Sequence, residues 1–240
     1  MPLSSLPYLE IMTSLWDIPV FKRKIEETHV RVDPNQVEQT FGYFGEARKL
    51  FDETTGITFL DEGTHSFRLR NGALLNVFAS PYTPSLGDWG FQYKGSLGHT
   101  FDIHNVDVAI THGPPKGVMD NTRSGDKAGC QFLFEVIARA RLRMHCFGHI
   151  HEAWGAKLVT WRQKVSDNPS HLTDIDNEKS VLITKLPPLK REAEKEPVKW
   201  SVTSHYSGDP DPLQVGSHNA FRQCCNPGHP MGSDTTTVGH

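Results

Sequence analysis

The chain has 240 residues and a mass of 27.0 kDa, and its 37% hydrophobic and 22% charged residues match an ordinary folded globular protein. A net charge of −3 gives no global positive field, which disfavours nucleic acid or an anionic membrane as the main partner and leaves a small charged substrate open. No basic stretch precedes an apolar run at the N-terminus, and no apolar run reaches the length of about eighteen residues that a membrane span requires, so an intracellular, cytoplasmic protein is expected.

Taken in chain order, Leu9, Met12, Leu15 and Trp16 recur at helical spacing, and Pro19 closes that segment. "DPNQ" at 33–36 opens a second helix, with Asp33 as cap, Pro34 in the first turn and Gln36 completing a capping box. Val37, Phe41, Phe44, Ala47, Leu50 and Phe51 form its apolar stripe, a core-facing pattern. The character then changes. "ITFLDE", "HSFRLR" and "ALLNVFASP" are short β-rich runs separated by turn residues.

"VDVAITHGPP" at 106–115 has the pattern of a buried strand ending in a loop, "DKAGCQFLFEVIARARL" that of a helix capped by Asp126, and "RMHCFGHI" that of the next strand. Strand, loop, helix, strand is the βαβ order of a layered α/β domain. "KLVTWR" and "SVLITKL" supply two further strands. From about residue 187 proline, glycine and mixed charge dominate, which predicts a linker and a largely disordered tail over 188–240, with "SHNAFRQCCNPGHP" dissolving into turn formers. Cys130, Cys146, Cys224 and Cys225 form no C-x-x-C pair and are expected to be reduced; Cys224, Cys225 and His229 fit no common zinc framework.

Two loops leave the carboxyl ends of predicted strands, one carrying His112 and the other His149 and His151, and ligands of open α/β sheets bind at such ends. If the H-x-H backbone is extended, both rings point to one side with Cα atoms roughly 7 Å apart. Two imidazoles so placed could serve two metals about 3.5 to 4 Å from each other, the separation used in two-metal hydrolysis. Gly148 would let backbone approach closely. Partly exposed loop histidines are the plainer alternative.

"DVAITHGPPKGVMD" followed by "HCFGHIHEAWG" resembles the last two metal-binding blocks of the calcineurin-like metallophosphoesterases, and more narrowly the subgroup with T-H-G-P-P and G-H-I-H-E signatures. "ASPYTPSLGDWGFQY" resembles the loop before those blocks, and the likeness covers about residues 57 to 160. It implies a layered α/β/β/α sandwich, with residues 1–187 forming a partial domain that lacks the first β-α-β segment. His112 and His149 would bind one metal and His151 the other, with Asp120 and Glu152 orienting ligands or positioning the loop. The metals implied are Mn, Fe or Zn, and the reaction is hydrolysis of a small phosphoester by a metal-bridging hydroxide.

The family's opening D-x-H, G-D and G-N-H blocks have no counterpart in place. "DIH" at 102–104, "GDWG" at 87–90 and "GTH" at 63–65 carry similar letters in other positions, and in "EETHVRVDP" Thr28 and His29 stand about where the family's Asn and His would be. His29 is thus either a leaving-group acid or a surface histidine. Three neutral imidazoles bring no negative charge to hold two dications, so one metal or none, and little hydrolysis, are expected. The alternative function is a non-catalytic interaction module that keeps the fold. Oligomeric state and substrate stay open, since specificity lies in variable loops.

Overall fold

The computed structural model describes residues 56–85, 91–185 and 213–223, together with Gln39, Arg48, Lys49 and Glu53. The expected helices over 9–16 and 33–51 therefore lie essentially outside the described residues, as do His29, the "GDWG" loop and the Cys224, Cys225 and His229 group. The chain is an α/β protein that divides into two compact units, Met1–Gly113 and Pro114–His240.

In the first unit β1 (Gly63–Arg68) and β2 (Leu74–Ser80) form an antiparallel hairpin. The turn between them is built on local chemistry: Leu69 N–H donates to the Ala73 carbonyl at 2.8 Å, the Asn71 side chain accepts from Ala73 N–H at 3.1 Å, and Gly72 takes the left-handed φ of 86° that the turn demands. A two-stranded parallel pair, β3 (Thr83–Ser85) and β4 (Gln92–Lys94), follows. Next, β5 (Val108–Thr111) lies parallel to β2. Val77, Phe78, Ala79, Phe101, Ile103 and Ala109 are the buried apolar residues at the heart of this unit. The expected strand over 57–62 is absent, because its polar groups are spent elsewhere: Asp61 takes both guanidinium nitrogens of Arg48 at 2.7 and 3.1 Å, and its carbonyl meets His65 Nε2 at 3.0 Å.

The second unit opens with the segment leading to helix α1 (Gln131–Ala140). This helix starts four residues later than an Asp126 cap would require. Its cap is Cys130, whose sulfur accepts from Leu133 N–H at 3.2 Å, while Asp126 accepts from Ser124 Oγ at 2.7 Å. The reason is tertiary: Cys130 N–H donates to the Pro114 carbonyl at 2.9 Å and its own carbonyl accepts from Lys116 N–H at 3.0 Å, which holds the residues before it out of the helix. Leu133, Phe134, Ile137 and Ala138 form the buried stripe of α1, and Arg141 ends the helix in the left-handed region, φ 48°.

Four strands follow in the order β6 (Met144–Phe147), β7 (Gly155–Thr160), β8 (Val181–Lys185) and β9 (His218–Gln223). In space β9 lies between β6, to which it is parallel, and β7, to which it is antiparallel; β8 pairs antiparallel with β7. The expectation that the sequence around 218–223 dissolves into turn formers is therefore corrected. Alternate residues Asn219, Phe221 and Gln223 are buried, and Phe221 packs among His145, Phe147 and Trp161 with ring centroids 5.6 to 6.3 Å away. Because two of those three buried residues are amides, the strand carries no apolar alternation to announce it.

His145 sits wholly inside this aromatic group, and burial pushes its imidazole down to a pKa of about 3. Above the ordinary histidine value of 6.5 the ring is neutral both folded and unfolded; below it the unfolded chain takes up a proton that the folded chain refuses until about pH 3. Stability is accordingly expected to fall as the pH drops from 6.5 toward 3, and His145→Phe should flatten that limb in urea denaturation measured against pH. An unchanged acid limb in the variant would contradict the assignment.

Candidate functional site

The histidine loop begins where β6 ends. Gly148, His149 and Ile150 form a three-residue turn in which Ile150 N–H donates to the Gly148 carbonyl at 2.9 Å and His149 has φ 72°. That combination defines a γ-turn of the rare, strained kind, and a residue with a Cβ at such a φ is uncommon. His151 then opens a 3₁₀ turn, His151–Ala153, so the H-x-H stretch is not extended and the same-side argument from strand geometry does not apply. Ile150 is buried at 4% exposure while His149, His151 and Glu152 are exposed: anchoring one apolar side chain turns the polar ones outward.

A side chain from the last described strand fixes this turn. Nε2 of Gln223 donates to the Ile150 carbonyl and, at 3.4 Å, to the Gly148 carbonyl. Both partners are acceptors, so the amide nitrogen and not the oxygen must face them. Gln223 is wholly buried, and its Oε1 has no hydrogen-bond partner. Leaving that oxygen unmatched offsets part of the benefit.

Although His149 is an exposed residue, enough protein surrounds its ring that desolvation holds its pKa below the ordinary histidine value; the nearby His151 pushes the same way and Glu152 opposes them. The ring therefore favours the neutral form, the one in which an imidazole can ligate a metal. Asp120, wholly buried, accepts from Gly117 N–H at 2.8 Å and Gly129 N–H at 3.2 Å, tying the two ends of the loop ahead of α1.

His112 belongs to the first unit. Its N–H donates to the Ser80 carbonyl at 3.0 Å, continuing the β2/β5 ladder by one bond, and the Thr111 hydroxyl donates to the Gly113 carbonyl at 2.7 Å. Gly113 is required there, because a Cβ would fall 2.7 Å from Thr83 Oγ1. Exposed His112 lines a cavity of about 870 Å³ together with Arg48, Phe59, Glu62, Tyr82 and Ile110. Glu62 accepts from Ser80 Oγ at 2.7 Å and meets His99 Nε2 at 2.7 Å, and His99 stacks on Tyr82 with centroids 4.3 Å apart.

The look-alike motifs have their own local partners. Asp102 and His104 of "DIH" form an exposed pair at 3.2 Å, and Gly63 of "GTH" starts β1. Cys130 is buried and Cys146 half-buried. Among the described residues no three histidine, cysteine, aspartate or glutamate side chains gather into a group able to hold a metal ion. Gln223 escaped sequence reasoning altogether; the one signal for it was the position of "HNAFRQ" after a long turn-rich stretch.

No protein-family model matches the chain. A stretch of 107 residues, 44% of the chain, is 36% identical to a probable rhamnogalacturonate lyase C of Emericella nidulans but covers only 10% of that protein. The human metallophosphoesterase domain-containing protein 1 is 32% identical over 133 residues, 50% of this chain and 39% of the relative. A UPF0046 protein of Caenorhabditis elegans is 31% identical over 114 residues, 43% of this chain and 28% of the relative. The matches thus span between a tenth and two fifths of these relatives' length. Among the described residues no helix is long and apolar enough to cross a membrane.

The γ-turn generates a paired prediction. Gln223→Leu leaves two loop carbonyls without their donor and should cost about 1–3 kcal/mol, with faster hydrogen exchange at the Ile150 amide while β6 amides keep their protection. His149→Gly removes the left-handed penalty and should add up to about 1 kcal/mol. In a double-mutant cycle by urea denaturation the Gln223→Leu cost should shrink in the glycine background. Strict additivity would show that the amide does not hold the turn.

Proposed function

We propose that the chain is a divergent member of the metallophosphoesterase family, built on that family's α/β/β/α sandwich, whose residues retain the histidine loops but not a competent dinuclear centre. The observation that carries this reading is the 32% identity over half the chain to metallophosphoesterase domain-containing protein 1. The histidine loop adds support: a neutral-leaning His149 held in a conformation that costs energy is what a scaffold kept for ligand binding would show. His112, His149 and His151 are the proposed metal-facing residues, with Asp120 shaping its loop and Glu152 supplying the nearest negative charge. The family's chemistry is hydrolysis of small phosphoesters with Mn, Fe or Zn. The lyase name borne by one relative is not carried over, since the match covers a tenth of that protein.

In this reading three imidazoles without carboxylates bind a divalent ion weakly, because neutral ligands do not offset the charge of a dication and leave nothing to bridge a second one. A non-catalytic interaction module on the same scaffold is the second reading, favoured by the lack of a metal-holding group among the described residues. Metal analysis of the purified chain, together with Mn²⁺-dependent hydrolysis of a phosphodiester reporter, separates the possibilities. Less than one metal per chain and hydrolysis near background are expected. Rapid turnover abolished by both His112→Ala and His149→Ala would overturn the impaired reading, and a reporter cleaved without regard to either variant would overturn the assignment of those histidines.

A further inference from the structure

The cavity of the first unit is lined by side chains whose own hydrogen bonds leave one charge only partly matched. At about 870 Å³ it has the size of a small-molecule site. Phe59, Leu60, Ala79, Tyr82, Phe91 and Ile110 give it apolar and aromatic walls, and three charged side chains, Arg48, Asp61 and Glu62, line it as well. Ile110, on β5, is 45% exposed, so part of this apolar lining stands in contact with water.

Two of the three charges are matched to each other. Arg48 donates to both oxygens of Asp61, at 2.7 and 3.1 Å, and its guanidinium carbon lies 3.9 Å from the centre of the Phe59 ring. An incoming anion would have to compete for Arg48 with a bidentate carboxylate and a π face. Glu62 differs. Its two partners, the Ser80 hydroxyl and His99 Nε2, both donate to Oε1 at 2.7 Å, and Oε2 accepts from no described residue. His99 is in turn held by stacking on Tyr82 and Tyr93, with centroids 4.3 and 5.4 Å away, and by Phe101 edge-on at 4.8 Å. The carboxylate is thereby fixed in place, and a neutral imidazole donating to it leaves its negative charge intact.

We propose that this cavity binds a small organic amine in its protonated form, with an apolar or aromatic body against Phe59, Tyr82 and Phe91 and its ammonium at the Glu62 carboxylate. An ammonium has donors and no acceptor, which suits an oxygen with lone pairs left to fill, and aromatic faces attract cations too. A carboxylate or phosphate ligand would meet Glu62 as a like charge. The site requires neither a metal nor a phosphoester, so it stands apart from the phosphoesterase reading.

Calorimetric titration of the full chain with phenethylamine, phenethyl alcohol and hydrocinnamate tests it, in amine-free buffer with EDTA at about pH 8, where an ordinary histidine is neutral. Phenethylamine is expected to bind at least about tenfold more tightly than the alcohol, the size of one charge-assisted contact, and hydrocinnamate more weakly than either. Glu62→Gln should erase the preference for the amine and leave the alcohol's affinity unchanged. Ile110→Trp, a larger side chain where the wall is exposed, should weaken amine and alcohol alike. No binding of the amine, equal binding of the alcohol or of hydrocinnamate, or an amine preference that survives Glu62→Gln overturns the proposal. Should Glu62→Gln fail to fold, the three ligands in the unaltered chain and Ile110→Trp still decide, because amine affinity unchanged in Ile110→Trp overturns it too.

Discussion

A buried amide from β9 holds the backbone on both sides of His149, and the candidate site depends on that contact. The γ-turn at His149 is not a shape the local sequence would choose: histidine has a Cβ that crowds a left-handed backbone, and a three-residue turn makes only one hydrogen bond of its own. The Gln223 amide nitrogen adds donors for the two carbonyls that the turn brings together. Buried carbonyls need partners, so the amide and the turn stabilise each other. The loop's shape is thereby coupled to a strand some seventy residues later in the chain.

That coupling explains the arrangement of the second unit. Strand β9 pairs with β6 in parallel, which a short hairpin cannot achieve, and with β7 in antiparallel fashion. Its buried face carries Phe221 into the aromatic group of His145, Phe147 and Trp161, and that packing brings Gln223 to the end of β6 where the histidine loop starts. Hydrophobic burial sets the register; the register aims the amide. His145, neutral within the same group, keeps the interior free of charge at neutral pH.

Charge divides the second unit's features by chemistry. The histidine loop offers imidazoles and one exposed carboxylate, suited to weak coordination, whereas Lys127 pairs with the buried carboxylate of Asp120 at 3.6 Å. Asp120 closes the loop ahead of α1 by accepting two backbone amides at Oδ2, while its Oδ1 stands 3.6 Å from Lys127 Nζ.

The α/β class, the order of strands β1, β2, β5, β6, β7 and β8 and the presence of α1 were legible in the sequence, β2, β5, β6, β7 and α1 through apolar runs or stripes that are buried, β1 and β8 through short β-rich runs between turn residues. The histidines at 112, 149 and 151 were legible as candidates through their motifs. Tertiary structure alone decided the rest. Cys130 caps α1 because distant carbonyl and amide groups hold the preceding residues extended; Asn219 and Gln223 lie inside although they are polar; and His149 sits in a turn that its own sequence disfavours. In each case the deciding partner is remote along the chain, and a hydrogen bond to a remote partner leaves no periodic trace in local sequence.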